Sequence, residues 1–93
     1  NIGKYKIDLN SRELILKKNV LKLTEKETNI LIYLSKSNDA VGVDQLQSEV
    51  WQYHSNLETH TVETHVYRLR KKIFKTFNDE NFIISKKNGY QIN

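Results

Sequence analysis

The sequence predicts an α+β domain, and three observations carry that expectation. Between residues 4 and 23 apolar side chains alternate with polar ones, as in half-buried strands. Between residues 24 and 77 they recur at helical spacing in three separate stretches. The chain then closes on two short apolar runs joined through Asn88-Gly89, a strong hairpin signal. In a chain of 93 residues, 38% of them hydrophobic, these elements must share one small core.

The first elements are short strands. Tyr5, Ile7 and Leu9 alternate with Lys6 and Asp8; Leu14 and Leu16 alternate with Glu13, Ile15 and Lys17; Leu21 and Leu23 flank Lys22 after Val20. Asn10-Ser11 and Lys18-Asn19 are the expected turns, since asparagine tolerates a left-handed backbone. A small antiparallel sheet over residues 1–23 follows, and it needs helices to cover one face.

Thr24-Glu25-Lys26-Glu27 reads as a capping box that opens a helix. Ile30, Leu31 and Leu34 form its buried side with Tyr33 at the edge, and Asn38-Asp39 end it near residue 37. Gly42 is an acceptable N-cap for a second helix, with Asp44 in the first turn, where negative charge suits the helix dipole. Its apolar stripe is Val43, Leu46, Val50 and Trp51, which makes Trp51 a core residue rather than a stacking platform. Residues 52–58 show no period and are expected to form a loop.

Thr59 then caps a third helix that runs to Phe77, where Asn78-Asp79-Glu80-Asn81 break the pattern. Phe82 to Ser85 and Tyr90 to Ile92 are strand-like, joined by Lys86-Lys87-Asn88-Gly89, with Asn88 and Gly89 both able to take positive φ. The one domain, 1–93, thus divides into a sheet (1–23), a three-helix core (24–77) and a hairpin (82–93).

Composition narrows the function classes. Cysteine is absent, which removes disulfides, thiolate nucleophiles and Cys-based zinc sites together and fits a reducing, cytoplasmic setting. His60 and His65, five apart, do not share a helix face, so no metal site is expected. Glu25, Glu27 and Asp44 each have a helix-start role and form no carboxylate pair, so no catalytic residues and no enzyme activity are expected. No apolar run suits a bilayer or a signal peptide, and Asn1 in place of Met suggests a segment of something longer. The net charge of +4 is segregated: residues 1–23 carry +4, 24–58 carry −4, 59–75 carry +4, 76–81 carry −2 and 82–93 carry +2. A polyanion would be attracted to the last third and repelled by the middle.

The third helix sorts two chemistries onto opposite faces. Val62, Val66, Leu69 and Ile73 make a buried stripe, while Thr61, Thr64, His65, Arg68, Lys71, Lys72 and Lys75 lie along the other side. Such a helix suits a DNA major groove. Arg68 leads as a base reader, one turn beyond Thr64, because a guanidinium grips a guanine edge with two hydrogen bonds. Thr61, His65, Lys72 and Lys75 extend that face as phosphate candidates. Lys86 and Lys87 are either a solubilising edge or a wing on the DNA backbone.

The order sheet, helix, helix, loop, basic helix, hairpin is a winged helix-turn-helix plan. Leu23-Thr24-x-x-Glu27, Leu46, Val50-Trp51, Thr61-Val62-Glu63-x-His65-Val66-x-Arg68-Leu69-Arg70-Lys71-Lys72 and Gly89-Tyr90 resemble the OmpR/PhoB family of response-regulator effector domains, from about Tyr5 to Ile92. By that resemblance Arg68 is a recognition arginine and Thr64 touches bases, often through a thymine methyl. Arg70 matches a backbone contact, although it lies about 200° around the helix from Arg68 and could instead pair with an acid. His65 matches a histidine whose imidazole donates to phosphate; the residues alone equally allow a partly buried helix histidine. The chain departs from the family at three places: Thr28 replaces an aromatic and should loosen local packing, His60 replaces an arginine in the backbone-contacting set, and the lysine-tipped wing suits phosphate better than a narrow minor groove.

The resemblance also implies partners. These are double-stranded DNA bound as a homodimer on direct repeats, RNA polymerase at the 52–58 loop, and a phosphorylated receiver domain outside these residues, with no cofactor and no membrane. The expected function is sequence-specific transcription regulation as the output domain of a two-component system. The alternative is a winged-helix interaction module that binds an acidic protein, and an RNA-binding winged helix would not require the Arg68 to Lys72 pattern.

Overall fold

The computed structural model describes residues 2–51 and 59–92. Strands β1 (Lys6–Asp8), β2 (Glu13–Leu16) and β3 (Asn19–Lys22) form an antiparallel sheet in that order. The register aligns Ile7, Leu14 and Leu21 across the three strands on the face that joins the core. The alternation is therefore real, but the turns are not where asparagine pointed. The left-handed residues are Arg12 and Lys17, and Lys17-Lys18 is the β2–β3 turn. At the first turn the Asp8 carboxylate accepts the Asn10 and Ser11 amides at 3.0 and 3.3 Å, so a side-chain hydrogen bond bends the chain there.

Helix α1 (Glu25–Ser35) starts on both halves of the capping box. The Glu27 amide donates to Thr24 Oγ1 at 3.1 Å, and the Thr24 amide donates to Glu27 Oε1 at 2.9 Å. Thr28 is buried with its hydroxyl donating to the Thr24 carbonyl at 2.8 Å. A polar residue in the aromatic's place is thus satisfied, and among the described residues no buried side-chain nitrogen or oxygen lacks a partner.

Helix α2 (Val43–Leu46) is capped by Gly42 as expected, then widens into a π-helical turn over Gln47–Trp51. The widening has a packing reason. In a regular α-helix Trp51 would sit well off the Leu46 face; an i→i+5 turn returns it to that face, and Leu46, Val50 and Trp51 are all buried. The expected loop at 52–58 lies outside the described residues.

Helix α3 (Thr59–Phe77) is the longest element, 19 residues. Val62, Val66, Leu69 and Ile73 are at most 1% exposed and seat it against β3, α1 and α2. Burying four such side chains contributes roughly 6–12 kcal/mol, so the amphipathic stripe fixes how the opposite face points. The helix stops at Asn78, left-handed at φ 58°, whose amide donates to the Phe74 carbonyl at 2.7 Å. Beyond it the buried Tyr5 ring meets Phe77 and Phe82 edge-on or tilted at 4.9 and 4.5 Å, and its hydroxyl donates to Asp79 at 2.6 Å.

Strands β4 (Ile83–Lys86) and β5 (Gly89–Ile92) make the C-terminal hairpin. Lys86 pairs with Gly89, so the turn is Lys87-Asn88 rather than the four-residue link expected. Asn88 does not take positive φ; Gly89 does, at 143°. The glycine serves a second purpose. Val41 and Tyr90 exchange backbone hydrogen bonds of 2.7 and 2.9 Å, which tie the hairpin to the segment before α2, and a Cβ on Gly89 would lie 2.1 Å from the Val41 carbonyl oxygen. Among the described residues no helix is long and apolar enough to cross a membrane.

Candidate nucleic-acid interface

Helical geometry turns the outer side of α3 into three parallel strips, residues advancing about 100° each. The outermost strip carries His60, Thr64, Arg68, Lys71 and Lys75, all exposed except the half-buried Thr64. The Thr64 hydroxyl donates to the His60 carbonyl at 2.9 Å, leaving its methyl group and an oxygen lone pair for a partner. Among the described residues Arg68 carries no such tie, and it is exposed one turn on. Thr61 is half-buried near the helix start.

The strip facing α1 holds His65 and Lys72, and both are engaged inward. The His65 ring stands edge-on to Trp51 with centroids 5.0 Å apart at 81°, so the half-buried helix histidine is what the structure shows. Lys26 approaches the same indole at 5.8 Å and donates to the Val50 carbonyl at 3.4 Å. Lys72, expected as a phosphate contact, is tied to α1 in the structure. Its ammonium donates to Glu27 Oε1 at 2.7 Å, with side chains 35% and 7% exposed respectively. A buried carboxylate requires a partner for its charge, and Lys72 is the cation within reach.

The strip facing the hairpin holds Glu63 and Arg70, which accounts for the angular separation of Arg70 from Arg68. Both charges reach Tyr90: burial pushes its phenol pKa up, the Glu63 carboxylate adds to the rise, and the Arg70 guanidinium opposes it. Arg70 also lines a hollow with Asp79 and Glu80, on the acidic side of the helix end. Lys86 and Lys87 are exposed at the hairpin, and with Glu63, Val43 and Tyr90 they border a cleft of about 310 Å³ between α3 and the wing.

Sequence reasoning passed over Tyr67, which is 59% exposed and has the Lys71 ammonium 5.3 Å from its ring centroid. Its signal was available, seven residues after His60 and four before Lys71, which places it beside the outermost strip.

Comparison with known proteins agrees with this architecture. Residues 17–92 match the family described as transcriptional regulatory protein, C terminal. The transcriptional regulatory protein SrrA of Staphylococcus aureus is 40% identical over 68 residues, which cover 72% of this chain and 28% of SrrA. The chain thus spans well under half the length of the curated relatives it matches. Among solved structures, the DNA-binding domain of E. coli CadC superposes with a TM-score of 0.85 at 21% identity, covering 100% of this chain and 89% of that one. The DNA-binding domain of the response regulator AdeR, solved with an intercistronic region, gives 0.80 at 22% identity, covering 97% and 94%. Those two likenesses speak for the fold. The match over residues 17–92, on a three-helix core flanked by an N-terminal sheet and a hairpin wing, shows that the chain belongs to the transcriptional regulatory protein C-terminal family, the OmpR/PhoB-type winged helix-turn-helix effector domains.

Proposed function

We propose that this chain is the DNA-binding output domain of a two-component transcription regulator, with α3 seated in the major groove. The observation that carries the proposal is the solvent-facing strip of α3, where His60, Arg68, Lys71 and Lys75 project beside a lysine-tipped hairpin. Thr64 and Arg68 read base edges. His60, Thr61 and Lys75 anchor the backbone, with His65 and Arg70 on the two flanks, and Lys86 and Lys87 meet phosphate at the wing. Two copies bind head to tail on direct repeats, a receiver domain controls them, and residues 52–58 meet RNA polymerase.

The test is selection from a random-duplex library, followed by a salt titration of the enriched motif. We expect one enriched motif and a log-log slope of roughly −0.9 per neutralised phosphate. No enrichment would remove the specific-regulator reading. Failure to shift random duplex at low salt would favour the alternative, an acidic protein partner for the same face.

A further inference from the structure

The geometry points to a phosphate clamp formed by Tyr67 and Lys71, a DNA-backbone site on the flank of α3 turned away from α1. This inference rests on the DNA-binding reading and adds a contact to it. A helix lying in a major groove has a sugar-phosphate strand along each flank and needs donors on both. On the α1 flank the cation is committed, since Lys72 is bonded to Glu27 at 2.7 Å. Toward the opposite flank Tyr67 and Lys71 are both exposed, and among the described residues neither is paired with a carboxylate.

Tyr67 and Lys71 are four apart on one helix face, and both are exposed. A tyrosine left 59% exposed keeps its ring in water, yet this one is already organised, with the Lys71 ammonium 5.3 Å from its centroid. That contact keeps the ammonium donor of Lys71 close to the ring that carries the Tyr67 hydroxyl donor. A phosphodiester oxyanion accepts from both, in charge-assisted bonds that neutral water only partly replaces. The two residues border an open hollow of about 500 Å³, shared with Arg70, Phe74, Glu80 and Asn81. Its two cations outnumber its one carboxylate, so an anion is favoured over a cation there. Tyr67 lies one turn after Glu63 and Thr64, close enough to the base-reading turn to fix the helix in register.

The test compares Tyr67→Phe, Lys71→Ala and the double variant of the intact domain. Binding to the selected duplex and to random duplex is followed by fluorescence anisotropy across a salt series. Tyr67→Phe removes only the hydroxyl and is expected to weaken both duplexes by the same factor, about three- to tenfold, with the salt slope unchanged. Lys71→Ala is expected to lower the slope by about 0.9. The double variant is expected to lose less than the product of the two single losses, because both groups hold one phosphate. Wild-type binding by Tyr67→Phe, or a loss confined to the selected sequence, overturns the clamp. If the unsubstituted domain binds neither duplex, the DNA-binding reading itself fails, which is a separate outcome.

Discussion

Substituting Gly89 by Ala should detach the wing from the domain. The new Cβ would lie 2.1 Å from the Val41 carbonyl oxygen, 2.4 Å from its carbon and 2.8 Å from the Gly42 nitrogen, all of them backbone atoms that no rotamer change can move aside. The φ of 143° adds strain of about 1–3 kcal/mol for a residue with a side chain. Separating the strands to relieve the clash forfeits the two Val41–Tyr90 hydrogen bonds, about 0.5–1.5 kcal/mol each. The sum is about 2–6 kcal/mol, a large share of the roughly 5–14 kcal/mol available to a domain of this length. Urea unfolding followed by the fluorescence of Trp51, the single tryptophan and a buried one, measures it directly. Asn88→Ala is the control, since Asn88 does not take positive φ, and it should cost less than about 1 kcal/mol. A Gly89→Ala loss below about 1 kcal/mol, or an equal loss in both variants, would refute the close-approach explanation.

Other substitutions separate reading, anchoring and bracing. Arg68→Ala should cost about 1–3 kcal/mol at the selected site and relax preference at one base pair, as judged by repeating the library selection. Lys75→Ala should weaken all duplexes alike and lower the salt slope by about 0.9. Lys72→Met should leave that slope unchanged and instead reduce urea stability, by about 1–2 kcal/mol after allowing for the partial exposure of the ammonium; a slope change equal to that of Lys75→Ala would return Lys72 to the DNA contacts. Acid should loosen the junction of the N-terminal sheet with the end of α3. Burial raises the Asp79 carboxyl pKa, but hydrogen bonds from the Tyr5 hydroxyl, the Asn81 amide and Lys4 outweigh it, and the net direction is down. The stability linked to Asp79 is therefore present above the ordinary aspartate value and lost as pH falls through the lower folded one. Asp79→Asn should flatten the stability profile below about pH 4, measured by thermal unfolding across pH; an unchanged acid limb would count against this role.

Much of the domain was legible from local rules. The capping box at Thr24 and Glu27, the Gly42 cap, the Val62–Val66–Leu69–Ile73 stripe and the stop at Asn78 all stand as read, because each depends on residues within one turn of one another. The turns were less legible. Asparagine's tolerance of positive φ suggested residues 10 and 19, but strand register and the Asp8 side chain placed the left-handed backbone at Arg12 and Lys17, and of the expected Asn88-Gly89 pair only Gly89 takes positive φ. The π-helical turn was also hidden, since nothing local favours it; it exists to bring Trp51 onto the face of Leu46.

By itself, then, the sequence determined the fold class, the amphipathic character of the third helix and the residues that make its exposed strip basic, since periodicity and charge are properties of neighbours along the chain. Only the tertiary structure decided which of those cations are free. Lys72 and Lys75 are three residues apart on the same helix and read alike in sequence, yet Lys72 lies within reach of a buried carboxylate 45 positions away and Lys75 is left to solvent. The reason is electrostatic: desolvating Glu27 is tolerable only with a cation beside it, and the packing of α1 against α3 determines which cation that is.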